Sequence, residues 1–235
     1  RENHSGFANS MALLVANNFG IVTTLVSFAL KTGEMINRVF GKNAMIGLTG
    51  AIRKLIPEFP LWSNQLHATG HISGKYTRSL TGKDAKTVVY FPTCISRMMG
   101  GGDKKNVPDT FLSVSEKAGI GVIIPQGIES MCCGQMFSSK GYSKAYIAKA
   151  NETVERLWNL TQGGKVPVVL DVTSCSHTLQ QCRPVLDENN KQRYDQLSII
   201  DSIDYLHDHV IPALGPVSKK GSIVLHPVCS LQKMG

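Results

Sequence analysis

The residues equipped for chemistry in this chain are its six cysteines, Cys94, Cys132, Cys133, Cys175, Cys182 and Cys229, none of which falls in the first 93 of 235 positions. Thirty-seven residues separate Cys94 from the vicinal pair Cys132-Cys133, and 41 separate that pair from Cys175. Neighbouring cysteines are poor disulfide partners, because the ring they would close is strained against normal S–S geometry. Two adjacent thiolates can instead bridge adjacent metal ions. Gly134 directly after them lets the backbone turn sharply beside a bulky group, with no Cβ in the way. The cysteines punctuate a strand–helix pattern instead of a short, loop-rich secreted chain, so metal binding or thiol redox chemistry is expected over a disulfide framework.

Cys94, Cys132, Cys133 and Cys175 are the expected ligands. His177, two residues beyond Cys175, is either a further ligand or a hydrogen-bonded support. Cys182, seven residues past Cys175 in a helical run, reads as a core residue. His226 lies three residues before Cys229 and either supports it or ends a strand.

Four nearly continuous apolar runs must position these groups: Thr87 to Phe91, Gly121 to Ile124, Pro167 to Leu170 and Ser222 to Leu225. Helical stretches at about 108–118, 139–160, 175–183 and 200–210 alternate with them. Apolar strands separated by amphipathic helices specify an α/β fold, a parallel Rossmann-like sheet with helices on both faces. Cys94, Cys132-Cys133, Cys175 and Cys229 each come after one of the four runs, at the carboxyl edge where open α/β sheets bind ligands. A thiolate at the N-terminus of the following helix also gains from the helix dipole.

Ahead of the sheet, residues 1–66 read as a helical segment and 67–86 as a polar linker or arm; 87–221 form the first α/β half and 222–235 the start of a second half. The uncharged run Gly6 to Leu30 is long enough to span a bilayer, but Asn17, Asn18 and Gly20 interrupt it. Two helices meeting at that break and resting on a neighbouring domain are the expected arrangement, with peripheral membrane contact as the alternative. No secretory leader is visible at Arg1-Glu2-Asn3-His4, and a cytoplasmic location, including the inner face of the membrane, is expected.

Of the net charge of +8, residues 1–90 hold 10 Lys/Arg against 4 Asp/Glu, a front-loaded balance that suits a solvated surface or an acidic docking partner. The basic residues are not interleaved with aromatics and no nucleic-acid-binding signature is present, so no nucleic-acid partner is expected. Gly100-Gly101-Gly102 lacks the endings of a phosphate-binding loop. No Ser/His/Asp set or paired-carboxylate pattern stands out. Lys140 and Tyr142, following Ser138-Ser139, either lean over the cysteine crevice or belong to a helix start.

The spacing Cys94, Cys132-Cys133-Gly134, Cys175, with YFPTC in front and LHPVCSLQKMG behind, resembles the cysteine-rich CCG domain of heterodisulfide reductases, which also occurs in glycerol-3-phosphate dehydrogenases and in lactate-utilisation iron–sulfur proteins. The phrases CCGQMFSSKGY, DVTSCSHTL and HPVCSLQKMG resemble more closely still the C-terminal regions of FAD-linked, iron–sulfur D-lactate dehydrogenases. The resemblance covers about residues 87–235. It implies an upstream flavin domain carrying FAD and a ferredoxin-like domain as partners, oxidation of D-lactate or a similar 2-hydroxy acid at the flavin, and transfer of electrons through this module to a quinone or other carrier.

It also implies a non-cubane 4Fe-4S cluster held by Cys94, Cys132, Cys133 and Cys175. A zinc ion in a non-catalytic structural or assembly module is the alternative, and a chain isolated without its metal fits either. Two departures from the family pattern stand out. Its motif closes Cys-x-x-Cys, whereas this chain reads Cys175-Ser176-His177-Thr178, which leaves His177 as a substitute ligand. The second motif opens at Cys229 without its own vicinal pair, so the site there is incomplete.

Overall fold

Strand β3 (Thr87–Phe91) lies at the centre of the molecule because its side chains are apolar on both faces: Val88, Val89, Tyr90 and Phe91 are all buried. In a computed structural model that describes residues 4–65, 67–68, 77–78, 86–100, 106–215, 221–222, 224 and 228–233, β3 pairs in parallel with β5 (Gly121–Ile123) on one side and β6 (Val168–Leu170) on the other. A fourth parallel strand, β7 (Ile199–Asp201), continues the sheet beyond β6. The two-residue strand β2 (Thr77–Arg78) closes the opposite edge antiparallel to β5, giving the order β2-β5-β3-β6-β7. A separate two-residue pairing joins β1 (His67–Ala68) to β4 (Met99–Gly100).

The α/β class read from the sequence is the observed one, with one strand relocated. The helix expected over 200–210 starts only at Ser202, because Ile199–Asp201 is a strand. Ile199 and Ile200 are β-branched and pair with β6, and the Asp201 carboxylate caps the next helix by accepting the Ile203 N–H at 3.0 Å. The run Ser222 to Leu225 does not supply the fourth strand among the described residues: Ser222 and Val224 have no regular structure and Val224 is fully exposed. Ile223, Leu225 and His226 lie outside the described residues, as do Gly101, Gly102 and most of the expected arm at 67–86. What is described of that arm is strands β1 and β2 and Lys86.

Three helices precede the sheet: α1 (Gly6–Asn17), α2 (Phe19–Phe40) and α3 (Ala44–Leu55). The break expected at the two asparagines falls at Asn18, which lies outside helical geometry, with φ −113° and ψ 31°. By length and composition α2 is the one helix among the described residues apolar enough to cross a membrane. Its inner face is the more polar one, with Thr23 and Gly33 buried beside Phe19 and Leu30, while Ile21, Leu25, Phe28, Met35 and Val39 point outward at helical spacing.

The remaining helices follow the strands: α4 (Cys94–Met98), α5 (Val107–Lys117), α6 (Gln135–Ser139), α7 (Ser143–Leu160), α8 (Thr173–Gln180) and α9 (Glu188–Tyr194). Then α10 (Ser202–Tyr205) runs through a π-helical turn (Leu206–Val210) into α11 (Ile211–Leu214), and α12 (Cys229–Gln232) packs beside α8. The run expected as one helix over 139–160 is interrupted at Gly141, whose φ of +79° a helix does not accommodate. The main core joins Val88–Phe91 and Val168–Leu170 to Phe111, Val154, Leu157 and Leu179 from the covering helices. Each such fully buried aliphatic or aromatic side chain contributes about 1.5–3 kcal/mol relative to exposure.

The front helices bear on the loop that leads to the vicinal cysteines. Helix α1 packs on α7 and buries Ala16 with Phe137 and Ala145. Helix α2 meets the 3-10 turn Ile128–Ser130, where the Thr23 hydroxyl donates to the Glu129 carbonyl at 3.0 Å.

Candidate thiolate centre

Three short helix starts bring the cysteines together at the carboxyl edge of the sheet. Cys94 is the first residue of α4, after β3; Cys132 and Cys133 lie in the loop after β5, just before α6; Cys175 sits in the first turn of α8, after β6. Cys132, Cys133 and Cys175 are buried and Cys94 partly so, and all are free thiols.

They form an unbroken row. Cys94 lies within electrostatic reach of Cys132, Cys132 of Cys133, and Cys133 of Cys175. These neighbours, together with burial, make Cys94, Cys132 and Cys133 hold their protons more tightly than an ordinary thiol. The neighbouring Cys132, then burial, pushes Cys94 far above the ordinary thiol range. Cys132 is pushed up to about 12, the influence of Cys133 leading and burial adding, against a lowering by Cys94. At Cys133 the influence of Cys132 lowers the value, but that of Cys175 and burial outweigh it.

The loop carrying the pair is pinned by its own carbonyls, as buried backbone requires. The Thr153 hydroxyl donates to the Cys132 carbonyl at 2.8 Å, and Arg156 donates to Gly127 O at 2.9 Å. Gly134 takes φ +84°, the left-handed conformation that favours glycine, and a Cβ there would lie 2.8 Å from the Tyr146 ring. This turn aims two amides back at sulfur: Gly134 N–H toward Cys132 Sγ at 3.4 Å and Gln135 N–H toward Cys133 Sγ at 3.5 Å.

The Cys94 loop is held from the other side. Asp171, just past β6, accepts the Tyr90 hydroxyl at 2.7 Å and the Thr93 N–H at 2.9 Å. Burial and then Asp171 push the Tyr90 phenol far above its usual range, so it stays a neutral donor. Arg97, one turn after Cys94, donates to Pro92 O at 3.0 Å and to Met131 O at 2.8 Å.

The other sequence candidates fall outside the row. Cys182 is fully buried in the main core, where burial pushes its thiol up to about 12. His177 is partly buried on α8; residues two apart on a helix do not share a face, so it does not stand beside Cys175. Thr178, at the place of the missing cysteine, does share that face, but its hydroxyl is turned to the helix backbone and donates to Ser174 O at 2.7 Å. Cys229 is exposed on α12, an element beside α8; residues 223 and 225–227 of the expected fourth strand and of the approach to Cys229 lie outside the described residues. Tyr142 stacks on His4, ring centroids 4.0 Å apart, on the α1 side, and Lys140 is exposed.

Asp171, Arg97 and Thr153 escape sequence reasoning because each has a backbone partner in a loop distant in sequence: Thr93 N–H, Met131 O and Cys132 O. The only sign was that Asp171 and Arg97 stand within four residues of a ligand-type cysteine.

In chemical type the donors fit a thiophilic metal group: four thiols in series, two amides directed at sulfur, and a guanidinium at one end. The sulfurs make a row and not a cage. Among the described residues, no three or more His, Cys, Asp or Glu side chains are disposed to hold a metal ion.

Residues 88–180 match the family model of the cysteine-rich domain, CCG, a span that contains all four thiols of the row. No curated protein and no solved structure gives a match to the chain.

Proposed function

We propose, on the match of residues 88–180 to the family model of the cysteine-rich domain, CCG, a domain type consistent with metal binding and electron transfer, that this chain is the electron-transfer module of an FAD-linked iron–sulfur oxidoreductase. The observation that carries the reading is the thiol row Cys94–Cys132–Cys133–Cys175, which runs between three elements of the sheet edge inside the matched span. A single tetrahedral ion needs three or four donors around one point, which the row does not offer; a cluster with several metal atoms takes sulfurs in sequence. An iron–sulfur cluster of the non-cubane 4Fe-4S kind is therefore preferred to zinc, with Cys94, Cys132, Cys133 and Cys175 as its ligands. When bound, the cluster supplies one-electron storage.

The chain's own residues do the rest. The amides of Gly134 and Gln135 direct N–H groups at the sulfurs, and burial of Cys132, Cys133 and Cys175 keeps water away. Hydrogen bonds to sulfur and exclusion of solvent are the levers by which a protein sets a cluster's potential.

The substrate oxidation in this reading, D-lactate or a similar 2-hydroxy acid, takes place at a flavin domain of the parent protein. Electrons pass through a ferredoxin-like domain to this module and on to a quinone or other carrier. The outward apolar stripe of α2, with Leu25, Phe28 and Met35 all more than half exposed, supports a module that works against neighbouring domains.

The test is substitution of the cysteines followed by anaerobic iron and sulfide reconstitution. Cys132→Ser and Cys133→Ser should abolish the visible iron–sulfur absorption, and Cys182→Ser should leave it intact. Equal loss from all six cysteines, or from none, would sink the reading.

A further inference from the structure

Arg97 is the side chain that joins the two halves of the thiol row, and nothing in the cysteine spacing announces it. It is partly buried on α4, three residues after Cys94, so it lies on the same helical face as that cysteine. Its guanidinium spans two loops that belong to different strands. One nitrogen donates to Pro92 O, two residues before Cys94, and the other to Met131 O, one residue before Cys132. Only the planar guanidinium fork places donors at two such diverging carbonyls at once.

The same group is charged. Burial lowers its pKa from the ordinary value, while the electrostatic influence of Cys94 and Cys132, then of Asp171 and Glu129, raises it. An arginine remains protonated in proteins. A permanent cation is therefore tied to the carbonyls just ahead of Cys94 and Cys132, at one end of the row, where a thiolate-bound metal group concentrates negative charge.

Resting on the thiolate-centre reading above, we infer that Arg97 is a positioning and charge-balancing residue of that centre: it clamps the Cys94 and Cys132 loops together through their carbonyls and favours the more negative state of whatever the thiolates bind. The two roles separate in substitution. Arg97→Gln removes charge and fork together. Arg97→Lys keeps the charge and loses the second carbonyl, since an ammonium is a point donor.

Two readouts on the full chain test this. Amide hydrogen exchange of the protein without metal reads the clamp: exchange in segments 92–95 and 131–134 should accelerate at least about tenfold in Arg97→Gln, and in one of the two segments in Arg97→Lys, the effect of losing a charged hydrogen bond, with α9 unchanged. The midpoint potential of the iron–sulfur-reconstituted chain reads the charge: Arg97→Gln should move it to more negative values and Arg97→Lys should return it toward the wild type, since a nearby cation favours the reduced state. Unchanged exchange in either loop of Arg97→Gln overturns the clamp, and identical potentials in wild type and Arg97→Gln overturn the charge role. If the wild-type chain takes up no iron and sulfide, the thiolate-centre reading fails and the charge role falls with it. The exchange measurement still decides the clamp.

Discussion

Replacing Gly134 by alanine should cost more than any other single-methyl change around the site. At φ +84° an L-residue is strained, and the new Cβ would meet Tyr146 Cδ2 at 2.8 Å and Cε2 at 3.2 Å. The ring is not free to swing away, because it packs against both cores and its hydroxyl reaches the Thr178 carbonyl at 3.5 Å. Left-handed backbone strain of about 1 kcal/mol and overpacking of about 2 kcal/mol sum to about 3 kcal/mol. For a chain of this size that is a fall in Tm of roughly 6–12 °C.

Gly119 provides the control. Its φ of +71° is similar, but a Cβ there meets nothing within 4 Å. Gly119→Ala should therefore cost the strain alone, about 1 kcal/mol. Thermal unfolding followed by circular dichroism, with iron content after reconstitution as a second readout, separates the two. Gly134→Ala should unfold well below Gly119→Ala and hold less iron, because the amides of 134 and 135 no longer point at sulfur. Equal midpoints in the two variants would refute the claim that the tight approach of Tyr146 shapes the turn.

Two further outcomes are expected. Asp171→Asn leaves the Tyr90 hydroxyl and the Thr93 N–H facing an amide that offers one acceptor in place of a carboxylate; a loss of about 1.5–3 kcal/mol in stability and a lower iron content should follow, measured by denaturant unfolding and iron analysis, whereas unchanged values would show that Asp171 does not anchor the Cys94 loop. Metal uptake should strengthen as pH rises. Cys94, Cys132 and Cys133 hold their protons at neutral pH, Cys132 being pushed up to about 12, so binding must expel protons; apparent affinity then climbs through pH 6–9 by roughly tenfold per pH unit for each proton released. A pH-independent affinity in competition titrations would contradict the protonated row.

The four ligand-type cysteines and the sheet beneath them were legible because each lies just past an apolar strand run, and Val88–Phe91 and Val168–Leu170 are buried on both faces as such runs require. Strand β7 was not. Its three residues lead directly into a helix capped by Asp201, so strand and helix patterns merge over a few positions. Strands β1 and β2 are two residues each and exist through backbone pairing, which leaves no side-chain period to read. The clamp of Arg97 and the anchor of Asp171 were hidden for a related reason. Apart from the Tyr90 hydroxyl, their partners are carbonyls and an amide, which nearly every residue type supplies alike. Thr178 could be seen to replace a cysteine, but not that its hydroxyl turns back to Ser174.

What the row Cys94–Cys132–Cys133–Cys175 holds, when the protein is made and purified under strict exclusion of oxygen, decides its role. Iron and acid-labile sulfide, assayed together with the visible and electron paramagnetic resonance spectra, measure it directly. An electron-transfer centre requires stoichiometric iron with sulfide and a spectrum abolished by Cys133→Ser. Stoichiometric zinc without sulfide, or a metal-free protein whose thiols all titrate reversibly, would contradict it.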